Sequence, residues 1–284
     1  MKTVKVAACQ LDTRMGRVVE NVALALRVAE DAAAAGAEYL LFHENMVHEY
    51  PPNAAELAEP APGPVTDRFA EFCARHGVCV GFGMTMRGDP RPYNAAVFVN
   101  ARGEIAATYA KRSLVKRMGY EEYMAEREGR PINMTGHERL LENEVFQPGA
   151  ADCVFDWDGV RAGALICADT GRDDHWAAIR DRGAAVLFCP FNNPGLRLYH
   201  PHIVNQIRQF GLYFVGANRV GSYPMGLPGR GQSIIADPKG NLLAQSDAEV
   251  NAFILADLPI RVAQPPPAVR APLEQGTGEG ACPA

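Results

Sequence analysis

The sequence predicts an α/β protein in which helices cover β-sheets, and three observations carry that prediction. Short apolar, β-favouring runs alternate with helical segments in both halves of the chain. Hairpins are mixed into the alternation, turning on Ala-Arg-Gly at 101–103 and on Asp-Pro-Lys-Gly at 237–240. The 284 residues are 48% hydrophobic and 21% charged, which suits one large domain or two small ones with a substantial core.

The elements follow in order. Val4–Ala8 reads as a strand, and 17–35 as an Ala-rich amphipathic helix ended by Gly36. Tyr39–Phe42 reads as a buried strand that stops at His43 and Glu44. A helix over Val65–His76 closes at Gly77 and leads into a strand over Val78–Met84. Ala95–Asn100 and Ile105–Tyr109 form the first hairpin. In the second half, Arg161–Ile166 is a strand ending at Cys167, and Asp174–Arg182 a helix ending at Gly183. Ala185–Cys189 is a strand, His202–Phe210 a helix with Pro201 at its first turn, and Tyr213–Ala217 a strand. Ser233–Ala236 and Leu242–Gln245 make the last hairpin.

Two segments break the rhythm. Residues 112–143 are long, charge-rich and weakly periodic, which suggests an insert at a pocket mouth or a solvated surface helix. From Pro259 the chain turns to Pro, Ala and Gly and cannot order itself alone, so 259–284 reads as a tail, disordered or packed on a partner subunit. The expected domain is 1–258.

A net charge of −5 argues against nucleic acid or an anionic membrane as the main partner. No run of about 18 apolar residues could span a bilayer, and the first residues lack a signal-peptide pattern. Seven widely spaced cysteines suit a reducing cytoplasm and free thiols. In Cys73-x-x-His76-x-x-Cys79, Gly77 ends the helix and Cys79 enters a strand, so core packing is expected there, not a metal.

Glu44, Lys111 and Cys167 each follow an apolar run, and Glu142 lies in Leu-Leu-Glu-Asn-Glu-Val-Phe. Strands also end at polar residues simply because they reach water. As a set, however, the four have a chemistry. A thiol attacks an acyl carbon as thiolate and needs a base. A desolvated carboxylate can be that base, and a buried ammonium can hold the developing oxyanion. Asn192 and Asn193, after the strand ending at Cys189, could contact substrate or form the turn before Pro194.

The chain resembles the nitrilase, or carbon–nitrogen hydrolase, superfamily. LLFHEN carries the glutamate, YAKRSL the lysine, ALICADT the cysteine, and LENEVFQPG a second glutamate seven residues before Gly149. VKVAACQLD, ANRVG and GQSIIADPKGNLLAQ resemble the opening and closing blocks, so similarity runs from about residue 4 to about 256. The resemblance implies a four-layer αββα sandwich stacking into an eight-layer dimer or a higher homo-oligomer. It implies no cofactor and no metal. Glu44 is the implied base, Cys167 the nucleophile, and Lys111 with the Ala168 N–H the oxyanion donors. Glu142 is the implied support, with Glu144 as its rival.

There are departures: His43 where proline is usual, Ser113 for histidine, and Gly171 for arginine. The missing arginine speaks against N-carbamoyl-D-amino acids as substrates, and Cys-Ala-Asp at 167–169, where nitrilases usually have Cys-Trp-Glu, speaks against nitriles. The expected reaction is hydrolysis of a small linear amide to acid and ammonia through a thioester, with N-carbamoyl amines as the alternative and nitriles third. A non-catalytic scaffold is the competing class, and it has no use for four desolvated polar groups.

Overall fold

The computed structural model describes residues 2–51, 53–115, 142–193, 201–222, 228–247 and 250–260. Two six-stranded mixed sheets lie at its centre. The first has the order β14-β1-β2-β3-β4-β5 and the second the order β13-β12-β9-β8-β7-β6. The first comprises β1 (Lys2–Gln10), β2 (Tyr39–Leu41), β3 (Cys79–Met86), β4 (Tyr93–Val99), β5 (Ile105–Ala110) and β14 (Ala252–Ile260). The second comprises β6 (Cys153–Trp157), β7 (Val160–Ala164), β8 (Val186–Pro190), β9 (Tyr213–Ala217), β12 (Ile234–Ala236) and β13 (Leu242–Gln245). A small ribbon pairs β10 (Val220–Ser222) with β11 (Pro228–Arg230).

Alternation along the strands sets the layers, because successive side chains face opposite sides of a sheet. Val4, Val6 and Ala8 of β1 join one core with the second sheet, α5 (Asp173–Asp181) and α6 (Pro201–Phe210). Ala7 and Cys9 join the other core, with α1 (Val18–Ala34) and α3 (Pro64–His76). The result is the expected αββα order. Trp157 lies between the sheets, within 5.3 Å of Tyr39, 5.2 Å of Phe98 and 4.9 Å of Phe188, centroid to centroid. Single turns α2 (Ala54–Leu57) and α4 (Glu142–Val145) sit in loops.

Most elements lie within a residue or two of their sequence positions. Three findings correct or extend the sequence reading. The strand expected through Ile166 ends at Ala164, and Cys167–Gly171 forms a 3-10 turn. Strands β6, β10, β11 and β14 had no counterpart. β14 pairs antiparallel with β1 from Lys2↔Ile260 to Gln10↔Ala252, so the chain is still in the sheet at Pro259, where the composition changes. Most of the 112–143 insert, and the tail beyond Ile260, lie outside the described residues. Cys73 and Cys79 sit in opposite cores, while His76 stacks on Phe72. Among the described residues, no helix is long and apolar enough to cross a membrane.

Candidate active site

In both sheets the central parallel strands end on the same side, and the loops there carry the candidate residues. Glu44 follows β2. Its loop runs against β3 so closely that a Cβ on Gly83 would lie 2.2 Å from the Asn45 nitrogen, which explains a glycine inside a buried strand. The Glu44 N–H donates to the Phe191 carbonyl (3.2 Å), tying this loop to the one after β8. Lys111 follows β5, its N–H donating to the Asn94 carbonyl (2.8 Å) and its carbonyl accepting from Gly149 (2.8 Å). Gly149 is likewise required, since a Cβ would meet the Ala110 oxygen at 2.1 Å.

Three of the four predicted residues form one buried ionic cluster. Lys111 Nζ lies 2.6 Å from Glu44 Oε1 and 2.8 Å from both Glu142 oxygens. All three residues are about 1% exposed. Glu142 also accepts the Val115 N–H (2.8 Å) and the Tyr50 hydroxyl (3.2 Å). Its rival, Glu144, is exposed. Burial alone would lower the Lys111 pKa, but Glu142, then Glu44 and Cys167, hold it well above the ordinary lysine range.

Cys167 comes from the other sheet. It sits at φ +44°, a conformation rare for a residue with a Cβ, at the start of the 3-10 turn that also holds Ala168. Burial, then the nearby Glu44 carboxylate, drive its thiol well above the usual range. Lys111 pulls the other way, and so does the Asn192 N–H. The resting thiol is therefore protonated, and a base must act during attack.

Asn192 stands between base and nucleophile. Its N–H donates to Glu44 Oε2 (2.9 Å), and its side-chain NH2 donates to the Glu44 carbonyl (3.3 Å) and to Glu49 Oε2 (2.9 Å). Asn193 instead pairs with Asn218, donating its N–H to Oδ1 (2.9 Å) and accepting from Nδ2 (3.2 Å).

Sequence reasoning missed several residues. Asn94 of β4 donates to both Glu44 and Glu142. Asp169, fully buried, accepts from the N–H groups of Arg112 (3.2 Å) and Ser113 (2.6 Å), from the Tyr109 hydroxyl (2.8 Å) and from the Ile166 N–H (3.1 Å). It thereby locks the lysine loop to the cysteine loop. Glu49, Arg219, Thr13 and His43 form a second buried cluster behind Glu44, with Arg219 Nε 3.1 Å from Glu49 Oε1. A polar residue inside the apolar run of β4 was the available signal for Asn94. Glu49 and Arg219 are 170 positions apart, and no local pattern links them.

The carbon–nitrogen hydrolase family model matches residues 5–266. The (R)-stereoselective amidase of a Pseudomonas species is 27% identical over 259 residues, spanning 89% of this chain and 85% of that one. The 2-oxoglutaramate amidase of Bacillus subtilis is 25% identical over 248 residues, 86% of each. Among solved structures, a mutant amidase of Nesterenkonia AN1, described as from the nitrilase superfamily, aligns with a TM-score of 0.75 at 21% identity and 90% coverage of both chains. That likeness concerns the fold.

Proposed function

The chain belongs to the carbon–nitrogen hydrolase family and is a hydrolase of C–N bonds other than peptide bonds, and on that premise we propose that it hydrolyses a small linear amide to acid and ammonia through a thioester on Cys167. The observation that carries this reading is the buried Lys111 ammonium clamped between Glu44 and Glu142.

Glu44 Oε1 already accepts from Lys111 and Asn94, whereas Oε2 accepts the Asn192 N–H. Oε2, the less committed oxygen, is thus the one to take the Cys167 proton as sulfur attacks the carbonyl carbon. The oxyanion is held by Lys111 and the Ala168 N–H. Glu44 returns its proton to the departing nitrogen, which leaves as ammonia. Glu44 then deprotonates a water that attacks the thioester, releasing the acid and restoring the thiol. Glu142 keeps Lys111 charged and in place. Lys111 supplies the positive charge at the oxyanion, so this route needs no metal.

The test is ammonia release across a panel of small amides, N-carbamoyl amines and nitriles. Amides are expected to turn over fastest, Cys167→Ala to abolish release, and a chelator to leave the rate unchanged. Turnover surviving in the Cys167→Ala variant, or confined to nitriles, would overturn the reading.

A further inference from the structure

We propose that Asn94 is a positioning residue that keeps Glu44 ionised as the base, by bridging the two glutamates that share one lysine. The inference rests on the assignment of Glu44 as the base of Cys167.

Two carboxylates and one ammonium leave the cluster with a surplus negative charge at about 1% exposure, where an uncompensated charge is costly. Asn94 faces that surplus. Its Nδ2 lies 2.8 Å from Glu44 Oε1 and 2.9 Å from Glu142 Oε1, with the Tyr50 oxygen at 3.2 Å. Its carbonyl holds the Lys111 N–H at 2.8 Å. One residue of β4 thus touches both acids and the backbone of the ammonium.

The orientation of the amide is forced, because ionised carboxylate oxygens accept and do not donate. The NH2 must face them, and Oδ1 must face away. There it is buried and has no hydrogen-bond partner among the described residues. A buried acceptor left orphaned calls for an explanation. Here it is the consequence of aiming both donor hydrogens at negative charge. A residue present only to fill space in β4 would carry no such penalty.

Among the described residues, the charged or titratable groups facing Glu44 are Lys111, Glu142 and the Cys167 and Cys189 thiols. Tyr50 reaches it through Glu142, and Glu49, with Arg219 and His43 behind it, through Asn192. Removing the Asn94 donor disfavours the ionised base, so the acid limb of the kcat/KM profile moves to higher pH.

The experiment compares Asn94→Ala and Asn94→Asp with the parent and with Cys167→Ala, measuring kcat and KM from pH 5 to 9 and the folded fraction by circular dichroism. For Asn94→Ala, the expected result is an acid limb displaced upward by roughly one pH unit. The plateau kcat should fall about 10- to 100-fold, the loss typical of a hydrogen bond to a charged group, with KM little changed. Asn94→Asp, nearly isosteric, adds a third acid and displaces the limb further. A purely structural role would lower the folded fraction and leave the limb where it was, and an unmoved limb in the folded variants overturns the proposal. Turnover retained by Cys167→Ala would instead defeat the assignment of the reaction itself.

Discussion

Two buried ionic clusters lie five residues apart in sequence, and they are built on opposite plans. Around Glu44, two carboxylates compete for Lys111, with a half-buried thiol alongside. Around Glu49, one fully buried carboxylate meets the Arg219 guanidinium, which also reaches the partly exposed Asp12 (3.9 Å), and the Glu49 oxygens take Thr13, Arg219 and Asn192 between them. Burial pushes the Glu49 carboxyl up, while Arg219, then Thr13 and Asn192, draw it back. The first cluster carries more charge than its partners neutralise, and an acid left in surplus beside a thiol can exchange a proton. In the second, the one fully buried acid has a guanidinium of its own. The loops of this cluster come from both sheets, and through Asn192 it is bonded to Glu44.

The sharpest way to break this comparison is to neutralise each acid in turn. Glu44→Gln is expected to lower kcat/KM by about 10³-fold, the scale of a lost general base. It should leave stability unchanged or slightly raised, because it removes the surplus charge while Lys111 keeps Glu142. Glu49→Ala is expected to do the reverse. It removes the buried carboxylate beside Arg219, leaving the partly exposed Asp12 at 3.9 Å, and should cost about 3 kcal/mol in denaturant unfolding, the low end for breaking a buried pair. Its folded fraction should lose only about tenfold in kcat, through slackening of Asn192. If Glu49→Ala unfolded no more easily yet lost as much activity as Glu44→Gln, the second cluster would belong to the chemistry.

The same comparison explains what could be read from the chain itself. Glu44, Lys111 and Cys167 each stand directly beyond a short apolar run, so local pattern exposes them. The αββα layering followed from the resemblance together with strand alternation, and not from composition. Asn94 escaped because it lies inside β4, and its meaning depends on pairing with β5, which sets the Lys111 N–H against its carbonyl. Asp169 was visible only as a neighbour of the cysteine, yet it joins two loops that are 57 residues apart. β14 was hidden for another reason. It is an edge strand, where proline is tolerated, so Pro259 reads as the start of a tail although the ladder continues through it. Contacts between distant segments, not weak local signals, account for these misses.

Acid should separate the two clusters by a smaller amount. His43 is fully buried, bonded to Thr13 and to the Glu44 carbonyl (3.1 Å), and burial, with Arg219 adding to it, holds its pKa down at about 3. His48, whose Nδ1 accepts the Thr85 N–H (3.1 Å), is held by burial at about 4. A depressed pKa in the folded state means that the unfolded chain takes up the proton first. The stability is therefore whole above pH 6.5 and lost as the pH falls toward those values. At pH 5 each histidine accounts for about 2 kcal/mol of that loss. Glu49, raised by burial, takes up its own proton more readily when folded and offsets part of it. Lys111 works at the other end of the scale: its raised pKa gives stability that is present below the ordinary lysine range and fades only above it. Urea unfolding at pH 7 and pH 5, in the parent and in His43→Gln, isolates one term. The variant is expected to start less stable at pH 7 and to lose about 2 kcal/mol less on acidification. Equal losses in the two proteins would mean that His43 is not the acid-sensitive member of the Glu49 cluster, and that its burial beside Arg219 is relieved by solvent before it titrates.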